Sequence, residues 1–151
     1  MRVCVLEPSA PVRRRLVGLI EELPDVDVVF CSGRKDAECA VETIHPDVVI
    51  LDQRTLSGDR LARIARIKRT NGAASILVLT NDASDEYRRR CLAAGADFFL
   101  DKSLEFAEVV RLLKAGKVKP VVDATFPLEE ARRAHDYLAS RKQFGKVVLK
   151  I

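Results

Sequence analysis

Glycine and proline are scarce, 7 and 6 of 151 residues, and neither a low-complexity stretch nor an internal repeat interrupts the chain. A disordered or repetitive architecture is thereby excluded. The four cysteines, Cys4, Cys31, Cys39 and Cys91, form no CxxC pair and have no histidine at metal spacing. Neither a zinc site nor a redox motif is expected of them, and they read as small buried hydrophobes. No apolar run reaches membrane-spanning length, and Met1 leads straight into a strand pattern without a cleavable apolar segment. The expected compartment is therefore a reducing cytoplasm, with no membrane partner. Charge of one sign is also limited: the net +4 lies wholly in residues 115–151, where 8 basic residues face 4 acidic ones. Such a surplus reads as a solvated helix face, so nucleic acid is not an expected partner.

What is present is 48% apolar residues with interspersed charges, in a chain long enough to bury a core without metal or disulfide staples. Five short apolar runs, Val3 to Leu6, Val26 to Cys31, Val48 to Leu51, Ile76 to Leu79 and Phe98 to Leu100, read as strands covered on both faces. Between them the apolar residues follow helical spacing: Val12, Leu16, Leu19, Ile20 and Leu23, then Ala37, Ala40, Val41 and Ile44, then Leu61, Ile64 and Ala65. A fourth helix is bounded by Ser84 as N-cap and Gly95 as C-cap. A fifth follows Ser103 and carries Phe106, Val109, Val110 and Leu113. Fivefold alternation predicts an α/β fold with a five-stranded, doubly wound parallel sheet, since parallel neighbours need right-handed crossovers.

In such a sheet chemistry collects at the carboxyl ends of the strands. Glu7 and Pro8 follow the first strand, Asp52 the third, Thr80 the fourth, and Asp101 and Lys102 the fifth. A carboxylate there can attack phosphorus if a cation offsets the repulsion from the incoming phosphate. Thr80 could donate to one phosphoryl oxygen, Lys102 could neutralise a second, and Glu7 could supply oxygen to Mg²⁺.

Residues 1–114 resemble the receiver domain of two-component response regulators. The likeness rests on Leu6-Glu7-Pro8-Ser9, the stretch from Pro46 to Asp52, Leu77 to Asn81, and the stretch from Ala93 to Ser103. It implies a flavodoxin-like fold with Asp52 as phosphoryl acceptor, Thr80 as switch hydroxyl, Phe99 as switch aromatic and Lys102 as phosphate-contacting cation. By composition alone, Phe99 is simply core. The resemblance further implies Mg²⁺ held by Glu7, Asp52 and the backbone carbonyl of Arg54. The family usually has two successive acids after the first strand, whereas here the second position is Pro8, so metal binding is expected to be weak. The Arg54 guanidinium could swing over the pocket and supply positive charge. A histidine kinase and an unidentified downstream protein are the implied partners. The fourth helix, fifth strand and fifth helix, with Tyr87, Arg88, Arg89, Arg90 and Phe106, form the implied output surface, on which the three arginines read as solvated.

From Gly116 the pattern changes to an extended segment (Val118, Pro120, Val121, Val122, Ala124), a helix from Leu128 to Ser140, and a last strand at Val147 to Leu149. Gly116 to Asp123, Phe126 to Ala131, Ala134-His135 and Phe144 to Leu149 resemble the C-terminal end of quinone oxidoreductases of the medium-chain dehydrogenase family. This β-α-β appendage, residues 115–151, stands without the rest of that family's substrate-side domain. No glycine-rich dinucleotide turn follows any expected strand, so a reductase is not expected, and His135 reads as a helix-surface residue. The exposed strand edges make a homodimer through the tail a hypothesis. The expectation is a receiver phosphorylated on Asp52 that acts as a switch and not an enzyme, with a phosphorylation-independent pseudo-receiver as the alternative. A remnant of an NAD(P)H-dependent quinone reductase stands third. No helix-turn-helix pair for a DNA-binding output is recognised after residue 114.

Overall fold

Strand and helix alternate as β1 Arg2–Leu6, α1 Ala10–Glu21, β2 Asp27–Phe30, α2 Ala37–Ile44, β3 Val48–Leu51, α3 Arg60–Thr70, β4 Ser75–Thr80, α4 Asp85–Ala93, β5 Phe98–Asp101 and α5 Phe106–Lys114. This computed structural model describes residues 1–30, 37–52, 54, 59–72, 74–116, 118, 122–140 and 146–150. The five strands form one parallel sheet, as the apolar runs predict, and the structure orders them β2-β1-β3-β4-β5, with Cys31 outside the described residues. The order reverses direction between β1 and β3, which places the switch point, and the crevice above it, over the ends of those two strands.

The interiors of β1, β3 and β4 are apolar throughout because alternate side chains enter two different cores. Val3, Val5, Val48, Ile50, Leu77 and Leu79 pack with Leu16 and Ile20 of α1 and Val109, Leu112 and Leu113 of α5. Cys4, Leu6, Val49, Leu51, Ile76 and Val78 pack on the opposite side with Val41 of α2, Ile64 and Ile67 of α3, and Cys91 of α4. Helix ends follow local chemistry. The Asp59 carboxylate accepts from the N–H groups of Leu61 (3.1 Å) and Ala62 (3.2 Å) at the start of α3. Ser84 caps α4 through the Tyr87 N–H. Gly95 turns the chain out of α4 at φ +108, a conformation that L side chains rarely adopt. Helix α5 begins at Phe106 instead of directly after Ser103, because side chains bind the intervening turn. The Ser103 N–H donates to Asp101 Oδ1 (2.6 Å) and the Asp101 N–H to Glu105 Oε2 (2.8 Å).

The C-terminal segment forms β6 Val122–Pro127, a 3-10 turn Leu128–Glu130, α6 Ala131–Ala139 and β7 Lys146–Lys150. The helix expected from Leu128 thus starts as a tighter turn. Strands β6 and β7 pair in parallel as a two-stranded sheet, with an irregularity between Val122 and Ala124, and Phe126 meets Tyr137 of α6 at 5.9 Å between ring centroids. Leu128, Leu138, Val148 and Leu149 are exposed. Val118 does not join this sheet: it is fully buried in the core shared by α1 and α5. Pro120 and Val121 lie outside the described residues.

Candidate functional site

The register Leu6↔Leu51 between β1 and β3 brings the next residues, Glu7 and Asp52, out of the sheet side by side. One further ladder bond, from the Asp52 N–H to the Leu6 carbonyl at 3.0 Å, fixes that juxtaposition. On the other flank, β4 and β5 align Thr80 with Asp101, and the Lys102 N–H donates to the Thr80 carbonyl at 2.9 Å. The sheet's carboxyl edge therefore holds Glu7, Asp52, Thr80 and Lys102, all buried despite being polar or charged.

Burial of ions requires partners. The Lys102 ammonium bridges the two acids, donating to Asp52 Oδ2 and lying 2.5 Å from Glu7 Oε2. The remaining carboxylate oxygens are also engaged: Glu7 Oε1 accepts from the Ser9 N–H at 2.8 Å, and Asp52 Oδ1 from the Arg54 N–H at 2.5 Å. The Glu7 carbonyl accepts from Arg13 Nη1 at 2.8 Å, tying the first turn of α1 to the pocket. Above the acids, the half-exposed Arg54 guanidinium has Nε 3.4 Å from Asp52 Oδ1 and Nη2 3.9 Å from Glu7 Oε1. Two carboxylates and two cations thus occupy one crevice, with Lys102 beneath and Arg54 at the mouth.

Thr80 and Phe99 are placed differently. The Thr80 hydroxyl oxygen accepts from the Asp82 N–H at 3.1 Å, which leaves its own hydrogen to be donated. Phe99 lies in the second core, with Tyr87 edge-on at 5.8 Å between centroids and the Arg88 guanidinium 4.9 Å above its ring. Arg88 is not the solvated residue that a run of three arginines suggests. It donates from Nη1 to the Phe99 carbonyl at 3.0 Å and lies 3.7 Å from Glu105, the same carboxylate that holds the Asp101 N–H. Arg89 and Arg90 are exposed as expected. Ser9, Arg13 and Glu105 are the polar neighbours that strand-end inspection alone misses.

The Tyr87 hydroxyl is enclosed near the Cys91 thiol and has no hydrogen-bond partner among the described residues. Burial chiefly, and then the neighbouring thiol, push its pKa up from 10.0 to about 12. Below pH 10 the hydroxyl is protonated whether the chain is folded or not. Between pH 10 and 12 the unfolded chain loses this proton first, so the Tyr87 contribution to stability falls as pH rises. Tyr87→Phe is expected to keep wild-type stability or exceed it at neutral pH, and to show a shallower loss of urea midpoint between pH 10 and 12.

The chain is 30% identical over 115 residues to the DNA-binding transcriptional activator DevR/DosR of Mycobacterium tuberculosis, covering 76% of this chain and 53% of that protein. It is 32% identical over 107 residues to a protein-glutamate methylesterase/protein-glutamine glutaminase of Methanosarcina acetivorans, covering 68% of this chain and 30% of that one. A solved two-component response regulator of the LuxR family from Aurantimonas superposes with a TM-score of 0.68 at 26% identity, over 76% of this chain and 82% of that one. The five-stranded unit is a response-regulator receiver domain. A family model described as zinc-binding dehydrogenase matches residues 17–149. By that match the chain also belongs to the zinc-binding dehydrogenase family. The match takes in the tail whose sequence resembles quinone oxidoreductases.

The chain spans about half the length of DevR/DosR. Receiver domains are in general signalling switches, although some relatives are enzymes. Among the described residues, no helix is long and apolar enough to cross a membrane. Nor do three or more His, Cys, Asp or Glu side chains among them converge to hold a metal ion, so these residues do not fit a zinc ion. Receiver domains typically bind Mg²⁺ at the phosphorylation site. Here Glu7 and Asp52 offer the hard oxygen atoms Mg²⁺ prefers, but each of the four is already engaged and Lys102 sits between the two acids. As arranged, the pocket does not fit a resident Mg²⁺, which demands near-ideal octahedral geometry.

Proposed function

We propose that the receiver domain accepts a phosphoryl group on Asp52 from a histidine kinase and signals through altered contacts with a downstream protein. The observation that carries this reading is a buried carboxylate at the sheet's switch point, flanked by one buried and one half-exposed cation. An Asp52 oxygen lone pair forms the new O–P bond while the P–N bond to the donor imidazole breaks and its electron pair returns to the ring nitrogen. Lys102 is the cation placed to follow the charge from the carboxylate to a phosphoryl oxygen, and the Thr80 hydroxyl is the donor for a second. Phe99, held by Arg88, is the aromatic whose movement would report the change on the α4-β5-α5 face.

Intact-mass measurement after incubation with acetyl phosphate tests the reading. Wild type is expected to gain one phosphoryl group that is lost on alkaline treatment, and Asp52→Asn none. No adduct would favour the pseudo-receiver, a reading supported by Pro8 and by the full engagement of both carboxylates.

Cytoplasmic placement and weak Mg²⁺ binding belong to the same proposal, as does a division into a receiver at residues 1–114 and a tail at 115–151. Among the described residues β6 and β7 pair only with each other, which supports pairing with a second copy, and a concentration-independent monomer in sedimentation would refute it. DevR/DosR binds DNA by its name, but the basic surplus of this tail is small, so a protein is the proposed downstream partner.

A further inference from the structure

Glu7, Asp52 and Lys102 together leave one uncompensated negative charge in a buried crevice that, on the reading above, must admit an anion. Arg54 removes it. Its guanidinium stands nearest the crevice mouth, within 4 Å of both carboxylates (3.4 and 3.9 Å) yet half exposed, so it can turn toward an incoming group without unfolding anything. Its backbone N–H meanwhile fixes Asp52 Oδ1 at 2.5 Å, so the residue that supplies the charge also orients the acceptor. The guanidinium is planar, permanently charged and matched to phosphate oxygens in a bidentate fork. A divalent ion, by contrast, would have to displace Lys102 from between the acids or draw oxygens away from Ser9 and Arg54, and Pro8 adds no oxygen of its own.

We propose that Arg54 is the phosphate-binding cation of this pocket and takes the place of a divalent metal, so that phosphorylation of Asp52 proceeds without Mg²⁺. Arg54 contacts the transferred group itself, offering two N–H donors to its equatorial oxygens while Lys102 holds a third, and the crevice stays electrically balanced before the anion enters. Because this inference rests on Asp52 as the acceptor, its test separates the two.

Initial rates of adduct formation with acetyl phosphate, followed by intact mass, are compared in EDTA and in excess Mg²⁺ for wild type, Arg54→Lys and Arg54→Met, and Mg²⁺ alone is titrated into each by calorimetry. Wild type is expected to react at nearly the same rate in both buffers and to bind Mg²⁺ weakly. Arg54→Met is expected to lose about 100-fold in EDTA, to recover in Mg²⁺, and to bind the ion more tightly. Arg54→Lys should fall between, since an ammonium carries the charge without the fork. A wild type that reacts only with Mg²⁺, indifferent to Arg54, would overturn this proposal and leave Asp52 as acceptor. The absence of any adduct in every condition would overturn both. Equal Mg²⁺ affinity in wild type and Arg54→Met would also overturn the exchange of roles. Because the guanidinium is half exposed, folding of these variants is checked simply by their urea midpoints.

Discussion

Lys102→Met is expected to destabilise the receiver domain by about 3–5 kcal/mol in urea unfolding, a large share of the roughly 5–15 kcal/mol available to a domain of ordinary stability. Among the described residues its ammonium alone pairs with Glu7 Oε2 and Asp52 Oδ2, and all three side chains are nearly sealed from water. Methionine fills the same stem volume, so the loss measures charge and not packing. Two buried carboxylates would then face each other with only the half-exposed Arg54 to offset them. Asp52→Asn removes one of the like charges and leaves a one-to-one Glu7–Lys102 pair, so its cost is expected to stay within about 1 kcal/mol. The contrast matters because a similar cost for both variants would mean that Lys102 is held by something other than the acids. Combining the two substitutions should recover part of the loss, since neighbours in one network are not additive.

The strands were legible because a parallel sheet covered on both faces needs apolar residues at every position, and Val3 to Leu6 shows this directly: two residues enter each core. The strand ends were legible for the complementary reason that a charged residue after such a run has nowhere to go but the sheet's edge. Glu7 and Asp52 could therefore be placed at one edge before their contacts were known. What the sequence conceals is which side chain crosses to which. That one ammonium bridges two acids from different strands depends on the register Leu6↔Leu51, which no local pattern states. Arg88 is a different case. Within three consecutive arginines it looks solvated, yet it reaches the Phe99 carbonyl and Glu105 while Arg89 and Arg90 stay exposed. Helical phase is not a sufficient signal, since Arg88 and Arg90 flank the Tyr87–Cys91 stripe about equally. Val118 had none, because a single valine after Gly116 reads equally well as the first residue of a tail strand or the last residue of the receiver core.

Leu51→Ala is expected to cost about 2–5 kcal/mol, the range for emptying a fully enclosed leucine site. Leu51 is fully buried on the central strand β3, pairs with Leu6 on one side and Val78 on the other, and contributes to the core beneath α3 and α4. Neighbours there come from several different elements, so little collapse can fill the space. The consequence also reaches the pocket, since Leu51 is the residue immediately before Asp52 and its side chain anchors the strand end from which the carboxylate projects. Even at urea concentrations where the variant remains folded, the phosphoryl adduct on Asp52 is expected to form more slowly than in wild type, because a shift of about 1 Å in the acceptor disturbs the alignment required for in-line attack. Leu16→Ala provides the control. That side chain is equally buried, but it lies in the other core, on α1, away from the strand end. If it matches Leu51→Ala in stability loss while leaving the adduct rate unchanged, the rate effect belongs to the position of Asp52 and not to general loosening. Equal rate losses in both variants would show that the pocket depends on overall stability instead of on this strand end.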